Sequence, residues 1–429
     1  MAGTWIERDA SVVWHGFTQM DAFLRNSPLV IESAEGHELI DVDGKRYLDA
    51  ISSLWVNTLG HRVPELDQAV IDQLGRVAHS TLLGHGNTTV VELSEALAEV
   101  VPVDEPHFVY ASDGAAAVEQ ALKIAFQYWK NEGSEGKTTY MAFGGAYHGD
   151  TVGSLSVGGD GFGSSTFDDL RFPVVRAPGF DDPAFIDAAI ELLETTHDEL
   201  AAVVVEPLVQ GAAGIRVAPT DGFKDLEASC RDLGVLLICD EVATGFGRTG
   251  SLFASEICGI RPDIMALGKG LTGGYLPMSV TVTSGAIYKA FLGEDLGPKT
   301  LYHGHSYGGN ALAAAVARKH LELIRAPEIL ANVNDRAEQL KRLLDERVAP
   351  LAGVADIRTQ GLMCGVELAP GSPGERRGRL VCAGAVARGV LLRPLGDVVV
   401  LMPPLTITEP EIERIVEALA ESIEEVCAP

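Results

Sequence analysis

The chain has 429 residues, 46% hydrophobic and 22% charged, with a formal charge of −27; at this length a single core usually stops growing, so two domains are expected. The negative charge opposes phosphate backbones and anionic lipid, and no uncharged apolar run of 18 residues is present to cross a bilayer. Nucleic acid and membrane are therefore not expected as partners, and any bound anion must be held by local donors.

Residues 1–30, with Trp5, Glu7, Arg8 and Asp9 among them, lack the basic start, apolar stretch and cleavage site of a signal peptide, which points to a cytoplasmic location. From there to about Val63 the pattern is extended and turn-rich, and "LVIESAEGHELIDVDGKRYLD" alternates apolar and polar residues around Asp43-Gly44, a hairpin signal. From Pro64 to Arg325 short apolar runs alternate with amphipathic helix patterns, which predicts a largely parallel sheet with helices on both faces. After Pro327 comes a charged helix pattern, then strand-like runs at Leu362–Leu368 and Val398–Met402, then an amphipathic helix from about Pro410. The reading is an α/β chain: residues 1–63 a β segment belonging to a small domain, 64–325 a large domain, and 326–429 the rest of the small α+β domain. The six cysteines (Cys230, Cys239, Cys258, Cys364, Cys382 and Cys427) show no C-x-x-C spacing, so neither a zinc site nor a disulfide framework is expected.

Three apolar runs of the large domain end on a functional group: "LAAVVVEP" at Glu206, "GVLLICDEV" at Asp240 and "DIMALGKG" at Lys269. In an open parallel sheet ligands bind beyond the carboxyl ends of the strands, so these three should converge. A fourth segment, Ser112-Asp113-Gly114-Ala115, stands between an apolar stretch and a helix pattern. Such a helix start offers free amides and a favourable dipole to a phosphate. A lysine amine to take an aldehyde, a carboxylate to keep a pyridine nitrogen protonated and a phosphate cradle are the needs of pyridoxal 5'-phosphate (PLP). Lys269, Asp240 and Gly114-Ala115 would supply them, with Tyr147 on one ring face and Val242 on the other. Each has a bland rival: carboxylates after strands are often helix caps, and a lysine between glycines is usually a solvated loop residue. The joint pattern outweighs the single residues.

Three motifs are set aside. Gly245 to Gly250 fits G-x-G-x-x-G but starts five residues after an apolar run, with no acidic residue about twenty positions on. His303 and His305 lack further metal ligands at suitable spacing. Asn87-Thr88-Thr89 is a glycosylation sequon, which has no meaning without secretion.

"LLICDEVATGFGRTGSLFA" followed by "PDIMALGKGLTGGYLP" resembles the class III, or ω-amino acid, aminotransferases of PLP fold type I. The likeness runs from about Trp14 to Leu405. Within the class, "VWHGFTQM", "SSLWVNTLGHR", "AYHGDTVG", "YHGHSY" and "LLRPLGDVVVLMPP" are most similar to the subgroup that makes 7,8-diaminopelargonic acid (DAPA) from 7-keto-8-aminopelargonic acid (KAPA) in biotin synthesis. The resemblance implies that Lys269 bonds the cofactor and that Asp240 partners its ring nitrogen. It places Ser112, Gly114, Ala115, His148, Glu206 and Val242 around the cofactor, with Tyr147 stacked on it and bordering substrate. It also implies a homodimer with shared sites, in which Gly304-His305-Ser306 reaches the cofactor phosphate of the other subunit; the family's Gly-Pro-Thr makes His305 a departure. Arg393 falls on the arginine that grips the KAPA carboxylate, and Trp55, Asp150 and Arg248 fall on positions near substrate. Leu54 and Phe17 stand where many members carry aromatic residues that hold an S-adenosylmethionine donor, which favours L-lysine as donor here. The rivals are another class III activity, such as an ω-amino acid:pyruvate aminotransferase or an aminomutase, and a PLP-binding protein that has lost catalysis.

Overall fold

The computed structural model describes residues 3–26, 28–159 and 164–427. Its centre is a seven-stranded sheet: β1 His107–Ala111, β2 Thr139–Phe143, β3 Val175–Ala177, β4 Leu200–Val205, β5 Leu236–Asp240, β6 Ile264–Leu267 and β7 Ser279–Thr283, in the order β1-β7-β6-β5-β4-β2-β3. Only β7 runs against its neighbours, pairing Leu267 with Val280 and Ala111 with Ser279. Two reversals cancel, so β1 to β6 all point the same way and their carboxyl ends share one edge.

Strand alternation builds a core on each face. Leu236 and Ile238 of β5, with Ile264 and Ala266 of β6, pack with the helix Gly114–Asn131. The intervening Leu237 and Cys239 join Phe185, Phe223 and Leu226 on the opposite face. All six residues of β4 and all five of β5 are buried, which is why these runs read as uninterrupted apolar stretches.

A second sheet of Val354–Gln360, Met363–Leu368, Arg393–Leu395 and Val398–Leu401 lies in the C-terminal part, with the helices Pro327–Arg347 and Glu409–Cys427. A third joins Ile31–Glu35, Glu38–Asp41 and Arg46–Asp49 to Val390–Leu391, so the chain's beginning hydrogen-bonds to its C-terminal part through Leu48 and Val390. The hairpin at Asp43-Gly44 is formed, with Ile40 opposite Arg46 and Gly44 at a left-handed φ of 79°. The opening segment is not purely extended: Trp5–Val12 is a helix started by a capping box between Thr4 and Glu7. No helix among the described residues is long and apolar enough to cross a membrane.

Candidate active site

A cavity of about 450 Å³ opens at the carboxyl edge of the sheet. Glu206 follows β4, Asp240 ends β5, Lys269 stands two residues past β6, and the Asp113 cap starts the helix after β1. Parallel direction makes them neighbours, and all four line the cavity with Gly114, Ala115, Tyr147, His148, Asp150, Val242 and Trp55.

Asp240 is held from two sides. One carboxylate oxygen accepts from the Val242 amide at 3.0 Å, and the other bonds His148 Nδ1 at 2.7 Å, where both side chains are almost fully buried. Burial, the largest single effect, works against charge on His148, but the bond to Asp240 together with the charges of Asp240 and Glu206 outweighs it and raises the imidazole pKa. The other ring nitrogen, Nε2, is buried without a hydrogen-bond partner among the described residues. Glu206 accepts from the Tyr147 and Gly211 amides at 3.0 and 3.2 Å, yet burial, the largest effect, lifts its pKa to about 7, with Asp240 adding to it.

Lys269 sits on the turn Lys269–Thr272 with a left-handed φ of 39°, a conformation that a residue with a Cβ adopts at a cost and that is found disproportionately at functional sites. Burial lowers the ammonium's pKa even though Asp240 and Glu206 act the other way. The neutral, nucleophilic amine is thereby favoured. Its Nζ is 5.1 Å from the centre of the Trp55 ring. Tyr147 donates its hydroxyl proton to Asp150 at 3.0 Å, and burial raises its pKa further.

At the cradle, Asp113 accepts from the Ala116 amide at 2.9 Å, and the first-turn amides of Gly114 and Ala115 precede that capped group. The backbone here approaches its neighbours too closely for larger residues: a Cβ on Gly114 would stand 2.6 Å from Val242 Cγ1, and one on Gly149 2.4 Å from Ala115 Cβ. A neutral-leaning lysine, a buried carboxylate and a helix start without side-chain bulk fit PLP.

The other expected residues lie elsewhere. Ser112 immediately precedes the capping Asp113, partly buried. Arg248 is buried and does not line the cavity; its guanidinium donates to the backbone carbonyls of Pro403 and of Asn57, the latter at 3.1 Å, and burial lowers its pKa to about 10. Phe17 lines an adjoining apolar cavity of about 400 Å³ that shares Tyr147 and Asp150 with the first. Leu54 is exposed and Arg393 is exposed on the strand Arg393–Leu395. Gly304, His305 and Ser306 lie in the segment before the helix Ala311–Ile324, where His79 Nε2 bonds the Ser306 carbonyl at 2.7 Å. The glycines from 245 to 250 form a turn in which Phe246, Gly247 and Gly250 have left-handed φ. Sequence reasoning did not anticipate Thr151, Ala212 and Ala243 on the cavity wall, nor the His148–Asp240 bond. Its only signal was the chemistry of a histidine 92 positions away.

The model of the class-III aminotransferase family matches residues 20–423. An adenosylmethionine-8-amino-7-oxononanoate aminotransferase from Nitratidesulfovibrio vulgaris is 46% identical over 97% of this chain and 80% of its own. The protein of that name from Anoxybacillus flavithermus is 43% identical over 98% and 96%. Among solved structures, the enzyme of that name from Methanocaldococcus jannaschii superposes with a TM-score of 0.94 at 38% identity, covering 98% of both chains. A PLP-bound amine transaminase from an uncultivated Pseudomonas species gives 0.90 at 33%, covering 97% and 99%.

Proposed function

Because the chain belongs to the class III aminotransferases, enzymes of PLP fold type I, we propose that it aminates KAPA to DAPA in biotin biosynthesis, with L-lysine or S-adenosylmethionine as amino donor. The observation that carries the reading is the meeting of Lys269, Asp240 and the Gly114-Ala115 helix start on one cavity wall. The acceptor follows from relatives named for 8-amino-7-oxononanoate, another name for KAPA.

Bound PLP supplies an electron sink for the bond broken at the amine-bearing carbon. Asp240, oriented by His148, holds the proton on the ring nitrogen. Lys269 would hold the cofactor through its amine, and as a neutral base it would move a proton at the amine-bearing carbon. Gly114 and Ala115 would hold the phosphate through their amides, Ser112, Glu206, Val242 and Tyr147 would hold the ring, and Tyr147 with Asp150 would meet the substrate. Arg393 pairs with the KAPA carboxylate through its planar fork. Trp55 walls the substrate side, and Arg248, at a position near substrate in the family, is held by the Asn57 and Pro403 carbonyls. The Gly304-His305-Ser306 segment serves the phosphate of a second copy, in a homodimer with shared sites; its exposed Gly304 and Ser306 support this. The pairing of Leu48 with Val390 supports counting residues 1–63 with 326–429 as the small domain beside a large domain of 64–325.

Two observations bear on the donor. Leu54 cannot stack and Phe17 has no hydroxyl, which favours lysine over an adenine-bearing donor; the names of the relatives favour adenosylmethionine. The deciding experiment mixes the PLP-loaded enzyme rapidly with each donor, follows loss of the PLP absorbance band, then adds KAPA and measures DAPA. DAPA from lysine and not from adenosylmethionine upholds the first reading, the reverse outcome upholds the second, and no DAPA with either refutes the acceptor.

A further inference from the structure

Trp55 is the largest apolar side chain on the cavity wall, and its ring is buried in the same apolar core as Ile51 and Met363. Its indole Nε1–H is buried without a hydrogen-bond partner among the described residues. A Cβ on Gly211 would stand 3.1 Å from the ring's Cζ3, so a glycine clears the space beside it. With packing but no hydrogen bond to set its direction, the ring's placement depends on its backbone as well, and that backbone is unusual. Ser52, Ser53 and Trp55 have φ values of 52°, 59° and 64°, three left-handed non-glycine residues within four positions. Such a run persists only where its surroundings over-determine it.

The surroundings are specific. Asp49, whose side chain is fully buried at the end of the strand Arg46–Asp49, accepts from the Ser53 amide with both oxygens, at 2.8 and 3.0 Å. The nearer oxygen, Oδ2, also meets His61 Nε2 at 3.0 Å, while His61 Nδ1 lies 3.0 Å from the Asn57 side-chain amide nitrogen. One imidazole can satisfy both neighbours in its neutral form, donating from Nε2 and accepting at Nδ1. Asn57 closes the loop by accepting from the Gly60 amide at 2.7 Å, and Ser52 Oγ donates to the Met402 carbonyl at 2.7 Å. The segment carrying Trp55 is thus tied at both ends to one buried carboxylate.

We propose that Asp49 and His61 are positioning residues that hold the strained Ser52–Trp55 segment, and so hold the Trp55 ring over Lys269 against the substrate. Neither touches the substrate; both act through the indole. The inference that the ring meets the KAPA chain rests on the proposed function, whereas its placement by Asp49 and His61 does not.

The test uses His61→Ala, His61→Gln and Asp49→Asn in the full-length chain, each with and without Trp55→Phe. Subtracting the emission of each Trp55→Phe partner isolates the Trp55 signal. With His61→Ala or Asp49→Asn that signal should shift to the red and become open to acrylamide, while His61→Gln, whose amide nitrogen can still donate to Asp49, should keep it in place. With KAPA, His61→Ala should raise KM about tenfold with kcat nearly kept, as expected for one lost positioned hydrogen bond. The same change should have little effect once Trp55 is phenylalanine. Unchanged Trp55 emission in both His61→Ala and Asp49→Asn overturns the proposal, and so does an equal KM effect in the Trp55→Phe background. Trp55 release without any turnover of KAPA refutes the proposed substrate and leaves the positioning pair standing.

Discussion

The cavity's inner wall and the outer wall that the proposed function adds to it are built differently. On the inner wall the two buried carboxylates lean on partners: Asp240 on His148 and the Val242 amide, Glu206 on the Tyr147 and Gly211 amides. On the proposed outer side Arg393, Phe17, Leu54 and Ser306, none of which lines this cavity in the single chain, are exposed. Groups locked by neighbours have their protonation set in advance, so they suit the reacting centre. Groups open to solvent gain most of their energy when a ligand or a second subunit covers them, which suits recognition. Damage to the inner wall should therefore appear in kcat, and damage to the outer wall in KM.

The largest effect is expected from Lys269→Ala, which should fold but lose transamination by on the order of 10⁴-fold or more, since both cofactor bonding and proton transfer go with the amine. Borohydride reduction and peptide mapping check the assignment, and a phosphopyridoxyl group on another lysine would refute it. Asp240→Asn keeps the shape and removes the charge; kcat should fall on the order of 10²–10³-fold with KM little changed, if removing a preorganised charge here costs what it does at comparable sites. Near-native rates in both half-reactions would reduce Asp240 to a structural cap.

Arg393→Ala tests the outer wall. KM for KAPA should rise on the order of 10- to 100-fold, the value of a charge-assisted hydrogen bond pair, while the donor half-reaction stays close to normal. A loss confined to kcat would break the division between the walls. The smallest effect concerns stability of the cofactor-free chain. Glu206 has a folded pKa of about 7 against an ordinary value of 4.5, so the folded chain binds more protons across that interval. Stability contributed by the protonated form is full below about 4.5 and is lost as pH rises through about 7. Glu241, buried with the same raised value, adds a parallel slope. Glu206→Gln should remove its share, on the order of 3 kcal/mol across the window, measurable by denaturant unfolding at each pH. An unaltered slope would place the ionised Glu206 in a better-solvated setting than its burial implies.

Much of the inner wall was legible because strand ends are consecutive in sequence with the apolar runs that create them. Glu206, Asp240 and Lys269 could be placed together from three such runs and one rule about parallel sheets. The rest depends on contacts between distant segments. Nothing local tells that His148 will meet Asp240, or that Asp49 will reach past Ser53 to His61. Arg248 shows the opposite limit. A position near substrate in the family suggested a contact, yet the chain turns its guanidinium inward to Asn57 and Pro403. The antiparallel β7 was also invisible, because its alternating Ser-Val-Thr-Val-Thr is buried on both faces and carries no mark of direction. The N-terminal helix was overlooked although Thr4 and Glu7 carried its signature.

The left-handed backbone at Lys269 has a consequence for durability. A glycine would adopt φ of 39° without the crowding that any Cβ brings, whereas alanine keeps that crowding and gives up the amine as well. The cofactor-free Lys269→Gly chain should therefore outlast its Lys269→Ala counterpart on heating, by about 1 kcal/mol offset in part by the looser unfolded chain of glycine. The position is then one where selection has kept a less robust polypeptide in return for reactivity, and where a search for heat-tolerant variants scored by survival alone would drift toward an inert protein.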